Sequence, residues 1–165
     1  MKTVALLTFE DQAKTYEALS QLKQISKSNT LEIKQAAIIQ KSEDGATFLI
    51  KDGLDYESNN RIATGGIIGM VIGILGGPLG ILCGWVVGDL AGLGTNYVKN
   101  KKTTTIFDSV AKKLTENELG LLLYMDETDK ALVNTMIVDK LNGTIERFSY
   151  DSVQEDLETA KKHLS

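Results

Sequence analysis

Residues 65–94, "GGIIGMVIGILGGPLGILCGWVVGDLAGLG", decide how this sequence is organised. The stretch holds eleven of the fifteen glycines in the chain, and Asp89 is its only charged residue. Because a four-residue step stays near one face of an α-helix, glycines repeated at that step form a bare stripe that another backbone can approach closely. Two such series run through the stretch, and they predict helix packing at Gly65, Gly69, Gly73, Gly76, Gly77, Gly80, Gly84, Gly88 and Gly92.

The series are interrupted at "GGPLG", where Pro78 cannot continue a helix but suits the first turn of a new one. The tract therefore predicts a hairpin of two helices, near residues 62–75 and 78–94. Ten glycines inside helices would cost on the order of 10 kcal/mol, so contacts with a partner are expected to offset them. Neither GxxxxGK[ST] nor GxGxxG occurs, so nucleotide binding is not predicted.

The segment before the tract predicts the order strand, helix, strand, strand. An apolar run at 3–9 is of strand length, and a helix begins near Asp11. Residues 31–40 and 46–50 form a predicted hairpin around Asp44-Gly45, because that pair suits a tight turn. The apolar positions predicted for the first helix are Tyr16, Leu19, Leu22 and Ile25.

The segment after the tract predicts helix, strand, helix, strand, helix. A buried strand is expected at 119–125 and a wetter edge strand at 144–150. Asn142-Gly143 supplies the stop of the helix between these strands. Ser152 and Glu155 match a capping box for the last helix. The apolar positions predicted for the first two of these helices are Ile106, Val110 and Leu114, then Leu132, Val133, Met136 and Ile137.

These elements predict an α+β fold: a ferredoxin-like split βαβ sandwich, with its helices on one face of a mostly antiparallel sheet and the glycine-rich α-helical hairpin inserted. The predicted units are 1–61, the first half of the α/β domain; 62–98, the hairpin; and 99–165, the second half. Strands from both halves must meet in one sheet, so both ends of the insertion must return to the same place.

The partner of the hairpin is either a membrane or protein. Fourteen and seventeen residues rise about 21 and 26 Å at 1.5 Å per residue, less than a hydrocarbon core of roughly 30 Å. Basic flanks, Arg61 and Lys99 to Lys102, favour a membrane with both ends on its cytoplasmic side. A soluble homo-oligomer in which the hairpins pack against one another is the alternative.

Composition argues against several classes of function. The chain has 18 Lys plus Arg and 22 Asp plus Glu without a basic stripe, so no nucleic-acid surface is predicted. Cys83, the single cysteine, excludes an internal disulfide and a cysteine metal cluster, and like Trp85 it is expected to pack. His163 lies near the C-terminus, where it is poorly placed for catalysis. No catalytic residue, cofactor or metal site is predicted.

Four acidic residues need a separate explanation. Asp89 is a possible functional carboxylate, because a charge inside an apolar helix in lipid must find a partner. It is alternatively a residue near the wet end of its helix, where it reaches water easily. Asp126, Glu127 and Asp129 precede a predicted helix and are expected to cap it rather than to bind metal.

The glycine tract inserted after the third strand, together with "LGLLLYMDE" beyond it, resembles an uncharacterised bacterial family, domain-of-unknown-function family 1269. That resemblance implies the fold and a membrane association, and it implies no activity. The sequence as a whole predicts a non-enzymatic protein at the cytoplasmic face of the membrane that self-assembles or associates with the membrane through residues 62–94. The alternative is a soluble, homo-oligomeric regulatory module that binds a small molecule.

Overall fold

A computed structural model describes residues 1–25, 28–42, 48–56, 66–76, 105–115 and 117–162. It is α+β, with one five-stranded antiparallel sheet and, within these residues, five α-helices. The elements are β1 Lys2–Thr8, α1 Gln12–Gln24, β2 Leu31–Lys41, β3 Phe48–Asp55, α2 Gly66–Gly76, α3 Ile106–Lys113, β4 Leu119–Glu127, α4 Ala131–Asn134, β5 Thr144–Ser149 and α5 Tyr150–Lys162. The predicted element order on both sides of the glycine tract is confirmed.

The strand order is β3-β2-β4-β1-β5, and every neighbouring pair is antiparallel. β4 therefore lies between the parallel strands β1 and β2, and β1 lies between the parallel strands β4 and β5. Each of these parallel pairs is joined through a helix, α1 in the first case and α4 in the second. β5 is an edge strand of this sheet, as predicted, while the predicted turn residues Asp44 and Gly45 lie outside the described residues.

β4 is the centre of the fold because nearly all of its side chains are apolar and buried. Successive strand residues point to opposite faces of a sheet, so its sequence "LGLLLYM" supplies both cores. Leu121 and Leu123 belong to the core beneath α1 and α4. Leu122 and Tyr124 belong to the core on the other face.

The first face is covered by α1 and α4, whose apolar residues pack on β1, β2 and β4. Leu19 and Leu22 are buried as predicted, but Tyr16 is 41 % exposed, and Thr15 and Ala18 are buried instead. The reason is geometric: a helix turns about 100° per residue, so a three-residue step drifts steadily away from the buried side. Tyr16 consequently lies at the margin of the face.

The second face is covered by α2, α3 and α5. The expectation that helices lie on one face only is therefore wrong. α1 and α4, which connect the split strands, share one face, but β1 and β4 are apolar on both sides and would leave a second core open to water. This second core is buried by α2, the first helix of the glycine tract, and by α3 and α5.

Helix ends follow local capping chemistry. α1 begins next to Asp11, as predicted, and the Asp11 carboxylate caps it by accepting from the Ala13 amide at 3.0 Å. Thr105 and Asp108 form a capping box on α3 that the sequence analysis missed. The capping box predicted at Ser152 and Glu155 is wrong, because α5 begins at Tyr150 and the Ser152 amide donates to Ser149 Oγ at 3.1 Å.

α4 changes its winding after one turn, and residues Thr135–Lys140 form a π-helix. The predicted positions Val133, Met136 and Ile137 are buried, whereas Leu132 is 37 % exposed. The helical segment stops where predicted: Asn142 has a φ of 55°, the left-handed conformation typical of helix ends. The Gly143 amide then donates to the Ile137 carbonyl at 2.8 Å.

β2 contains an irregularity that matters for the glycine tract. Ile33 pairs with Met125 and Gln35 with Tyr124, so Lys34 is an extra residue in β2 at a bulge against β4. Such a bulge reverses the alternation of side chains along a strand. Gln35 is thereby turned toward the second face, where it is buried and contacts α2.

Candidate functional site

α2 is the described part of the glycine tract, and its two sides differ sharply. The side chains that pack on the sheet are Ile67, Ile68, Val71, Ile72, Ile74 and Leu75, all buried. The opposite side carries Gly69, Met70 and Gly73, and we call it the glycine face. Met70 is 37 % exposed and Gly73 is exposed. Glycine spacing and aliphatic spacing thus divide one short helix into a core side and an outer side.

The start of α2 is fixed to the sheet through Gly66 and Gln35. Gly66 has a φ of +64°, and a Cβ there would lie 2.6 Å from Gln35 Nε2. The Ile68 amide, one of the free donors at a helix N-terminus, donates to Gln35 Oε1 at 3.4 Å. Gly66 is therefore required both by its backbone conformation and by the close approach of the amide.

Gly73 is in the opposite situation. Beyond the helix itself, no atom of the described residues lies within 4 Å of the position that its Cβ would occupy. On this side the Lys161 ammonium of α5 contacts Met70, with Nζ 3.7 Å from Sδ. Within the described residues, the glycine face hence has no close neighbour at Gly73, where the sequence analysis expected close packing against a partner.

The structure brings together only some of the predicted helix-packing glycines. Gly69, Gly73 and Gly76 belong to α2, which spans Gly66–Gly76 where a helix was expected near 62–75. The remaining predicted positions lie outside the described residues: Gly65, Gly77, Gly80, Gly84, Gly88, Gly92 and Asp89, as do Cys83, Trp85 and His163. None of the helices within the described ranges has the length and apolar character needed to cross a membrane.

A second candidate site is a cleft of about 530 Å³ at one end of the sheet. Its walls come from the ends or beginnings of β1, α1, α3, β4 and β5. Phe9 and Leu119 are its apolar residues, and the Thr8 and Thr144 hydroxyls hydrogen-bond to each other across β1 and β5. The remaining lining residues are Glu10, Gln12, Lys113, Glu118 and Asn142.

The turns that border this cleft are held in uncommon backbone conformations. Asn117 and Asn142 have φ values of 65° and 55°, a region in which asparagine is enriched among non-glycine residues. The Asn117 carbonyl accepts from Gln12 Nε2 at 3.2 Å and from Gln40 Nε2 at 2.9 Å. No single sequence motif could have indicated this cleft, because its residues come from three distant stretches of the chain, 8–12, 113–119 and 142–144.

The three acidic residues before α4 have separate roles. Asp129 Oδ1 accepts from the Ala131 amide at 2.9 Å, which confirms it as a cap. Capping by Asp126 is wrong: it accepts from the Met1 ammonium at 2.7 Å, and this hydrogen bond lowers the pKa of Asp126. Capping by Glu127 is also wrong, because its buried carboxylate binds Arg147 through two hydrogen bonds, of 2.7 and 3.2 Å.

Arg147 was missed by the sequence analysis. Its third recorded hydrogen bond, 2.8 Å from Nη1 to Asn134 Oδ1, joins β5 to the point where α4 becomes a π-helix. Within the described residues, His, Cys, Asp and Glu side chains do not form a group of three that could hold a metal ion. The hydrogen bonds of Arg147 to Glu127 and Asn134 hold β5 against neighbouring elements, and we propose no catalytic or binding role for them.

Comparisons with protein-family models, with curated proteins and with solved structures find no match for this chain. The resemblance to family 1269 therefore stays a prediction. Function has to be inferred from the two surfaces described above.

Proposed function

We propose that this is a non-enzymatic protein that self-assembles through its glycine-striped tract, associates through the same tract with the cytoplasmic face of a membrane, or does both. The observation that carries the proposal is the glycine face of α2, where no atom of the described residues lies within 4 Å of the position that a Cβ on Gly73 would occupy. Glycine inside a helix is unfavourable by about 1 kcal/mol relative to alanine. A surface contact that needs close backbone approach accounts for that choice.

Packing among the described residues gives no reason for glycine at position 73. The aliphatic side of α2 buries six side chains, and each contributes about 1.5–3 kcal/mol when fully buried. That burial holds α2 on the sheet and outweighs the unfavourable helix propensity of its glycines. It is the opposite side, with no described neighbour at Gly73, that is available for a second backbone.

The length of the chain favours protein over lipid as the main partner. α2 and α3 both pack on the second face of the sheet, which leaves 28 residues, 77–104, between the described segments. With α2 held on the sheet, only these residues could reach a bilayer, and a helical path out and back through them would extend about 21 Å in each direction at 1.5 Å per residue. A two-pass crossing of a hydrocarbon core of roughly 30 Å would need more, so the proposed membrane contact is a shallow one.

We also propose a ferredoxin-like topology for the sheet and its connecting helices. Two split βαβ units, β1-α1-β2 around β4 and β4-α4-β5 around β1, support a ferredoxin-like sandwich with β3 added at one edge. The inserted hairpin of residues 62–98 is part of the same proposal, with α2 as its first helix. Membership of family 1269 would agree with this arrangement.

The test is to add a side chain to the glycine face without changing any core residue. Gly73→Leu adds a side chain where the described neighbours leave space, so the monomer should stay folded while close approach of a second backbone is blocked. We expect the native chain, purified without detergent, to give a multimer by light scattering and Gly73→Leu to give a monomer. A second variant, Gly69→Leu/Gly73→Leu/Gly80→Leu/Gly84→Leu, extends the block along both predicted stripes.

Ser20→Leu is the matched control, because Ser20 is exposed on α1 at the other face of the sheet. It adds the same side chain and should leave the assembled mass unchanged. Vesicle flotation of the same three variants measures their association with a membrane. A native chain that is monomeric and does not float, or a mass and flotation unchanged in the quadruple variant, would contradict the proposal.

The second candidate function is a small-molecule-binding regulatory module, and the cleft at the end of the sheet favours it. Its volume of about 530 Å³ lies within the range of ligand sites in proteins. Ligand that binds only the folded chain raises its thermal stability. A thermal-shift screen with metabolites would therefore detect such a module, and no stabilisation by any of them would count against it.

A further inference from the structure

The floor of the cleft is apolar and held in place. Leu119 is buried and Phe9 is half-buried. Gly143 lies so close to Phe9 that a Cβ there would come within 2.3 Å of the ring carbon Cε1. The ring is thus packed against backbone on one side, and with Leu119 it offers a fixed surface to the hydrocarbon part of a ligand.

The charges around this floor are unbalanced. The Lys113 ammonium is engaged by Glu146, with 3.1 Å between Nζ and Oε1. Glu118 accepts from the Thr115 hydroxyl, and no cation of the described residues lies within ion-pair distance of Glu118 or Glu10. With its single lysine already paired, the cleft presents two carboxylates without a cation.

We propose that the cleft binds a small organic primary amine whose ammonium group lies between Glu10 and Glu118 and whose apolar body lies on Phe9 and Leu119. A carboxylate attracts an ammonium group and accepts its hydrogen bonds, and the face of an aromatic ring also attracts a cation. The Thr8 and Thr144 hydroxyls supply further polar partners at the wall. This inference rests on the second candidate function and is independent of the glycine face.

The experiment compares three probes of one shape and different charge: 2-phenylethylamine, 2-phenylethanol and 3-phenylpropionate. We expect calorimetry to show the amine binding at least about tenfold more tightly than the alcohol, the ratio that corresponds to one charge-assisted contact of about 1.4 kcal/mol. Binding of the amine should weaken as salt is raised. Amide chemical shifts of Gln12, Leu119 and Thr144 should move with the amine.

Two double variants each remove two negative charges, one pair from the cleft and one pair from a surface away from it. Glu10→Gln/Glu118→Gln should weaken amine binding at least about tenfold, since a neutral amide no longer pairs with the ammonium. Glu155→Gln/Glu158→Gln changes two exposed carboxylates of α5 on the second face and should leave binding unchanged. Equal loss in both variants would overturn the proposal, because the effect would then be one of net charge.

The remaining outcomes separate the ligand class from the ligand-binding function. If the alcohol or the carboxylate binds as tightly as the amine and shifts the same amides, the amine proposal is overturned while the cleft stands as a binding site. If none of the three probes shifts these amides, the amine proposal is overturned. The metabolite screen then decides separately whether the second candidate function survives.

Discussion

The two sides of α2 differ in what they contact. On the core side Ile68, Val71 and Leu75 are fully buried against the sheet and α5. On the outer side Gly73 has no described neighbour within 4 Å of where its Cβ would stand. A helix that only closed the core would gain from alanine or a polar residue on its outer side, since glycine weakens a helix. The fold uses the core side of this helix, and the proposed function uses the outer side.

The comparison also separates two glycines of the same apolar tract. Gly73 belongs to one of the four-residue series, whereas Gly66 lies outside both. Gly66 is demanded by a positive φ and by Gln35, whereas no described contact demands glycine at position 73. The spacing of the glycines alone does not show which of them the fold requires.

The largest expected effect comes from the core side. Leu75→Ala should lower the free energy of unfolding by about 2–5 kcal/mol, because it removes a fully buried side chain and leaves a cavity. Met70→Ala, on the glycine face, should change it by less than about 1 kcal/mol. Urea denaturation followed by circular dichroism measures both, and equal losses would show that α2 does not pack on the sheet by this side.

Gly66→Ala is expected to come next, with a loss of about 1–3 kcal/mol from a residue forced into a left-handed conformation. Overlap of the new methyl with Gln35 adds to this. In a Gln35→Ala background the overlap is gone, so the loss from Gly66→Ala should be smaller there, by a coupling energy that a double-mutant cycle measures. A neutral or stabilising Gly66→Ala would contradict the junction described at the start of α2.

Much of the fold could be predicted because it follows local patterns. The apolar run in β4, the capping Asp11 and the stop at Asn142 each depend on residues within a few positions of one another. The antiparallel pairing of β2 with β3 agreed with the predicted hairpin, although its turn lies outside the described residues. Patterns among neighbouring residues were thus sufficient to predict the order of strands and helices along the chain.

The features that could not be predicted depend on contacts between distant segments. The bulge at Lys34 turns Gln35 toward α2, and the pairing of Arg147 with Glu127 joins β5 to β4. The same limit applies to the second layer of helices and to the cleft, whose lining residues come from five elements. For the candidate site, the glycine tract correctly indicated a helix, expected near 62–75 and found at Gly66–Gly76, but not which of its glycines would lack a described neighbour.

The smallest expected effect has the opposite sign to Gly66→Ala. Gly73→Ala should raise the free energy of unfolding of the monomer by up to about 1 kcal/mol, because alanine favours the helix and its methyl group meets open space. If a second backbone packs on the glycine face in the assembled protein, the same methyl group occupies space that the partner needs. The gain should therefore be present in dilute solution and shrink or reverse at concentrations where the native chain assembles. Thermal unfolding of both chains across that concentration range measures the change, and a gain that is the same at every concentration would mean that the partner does not approach the helix at Gly73.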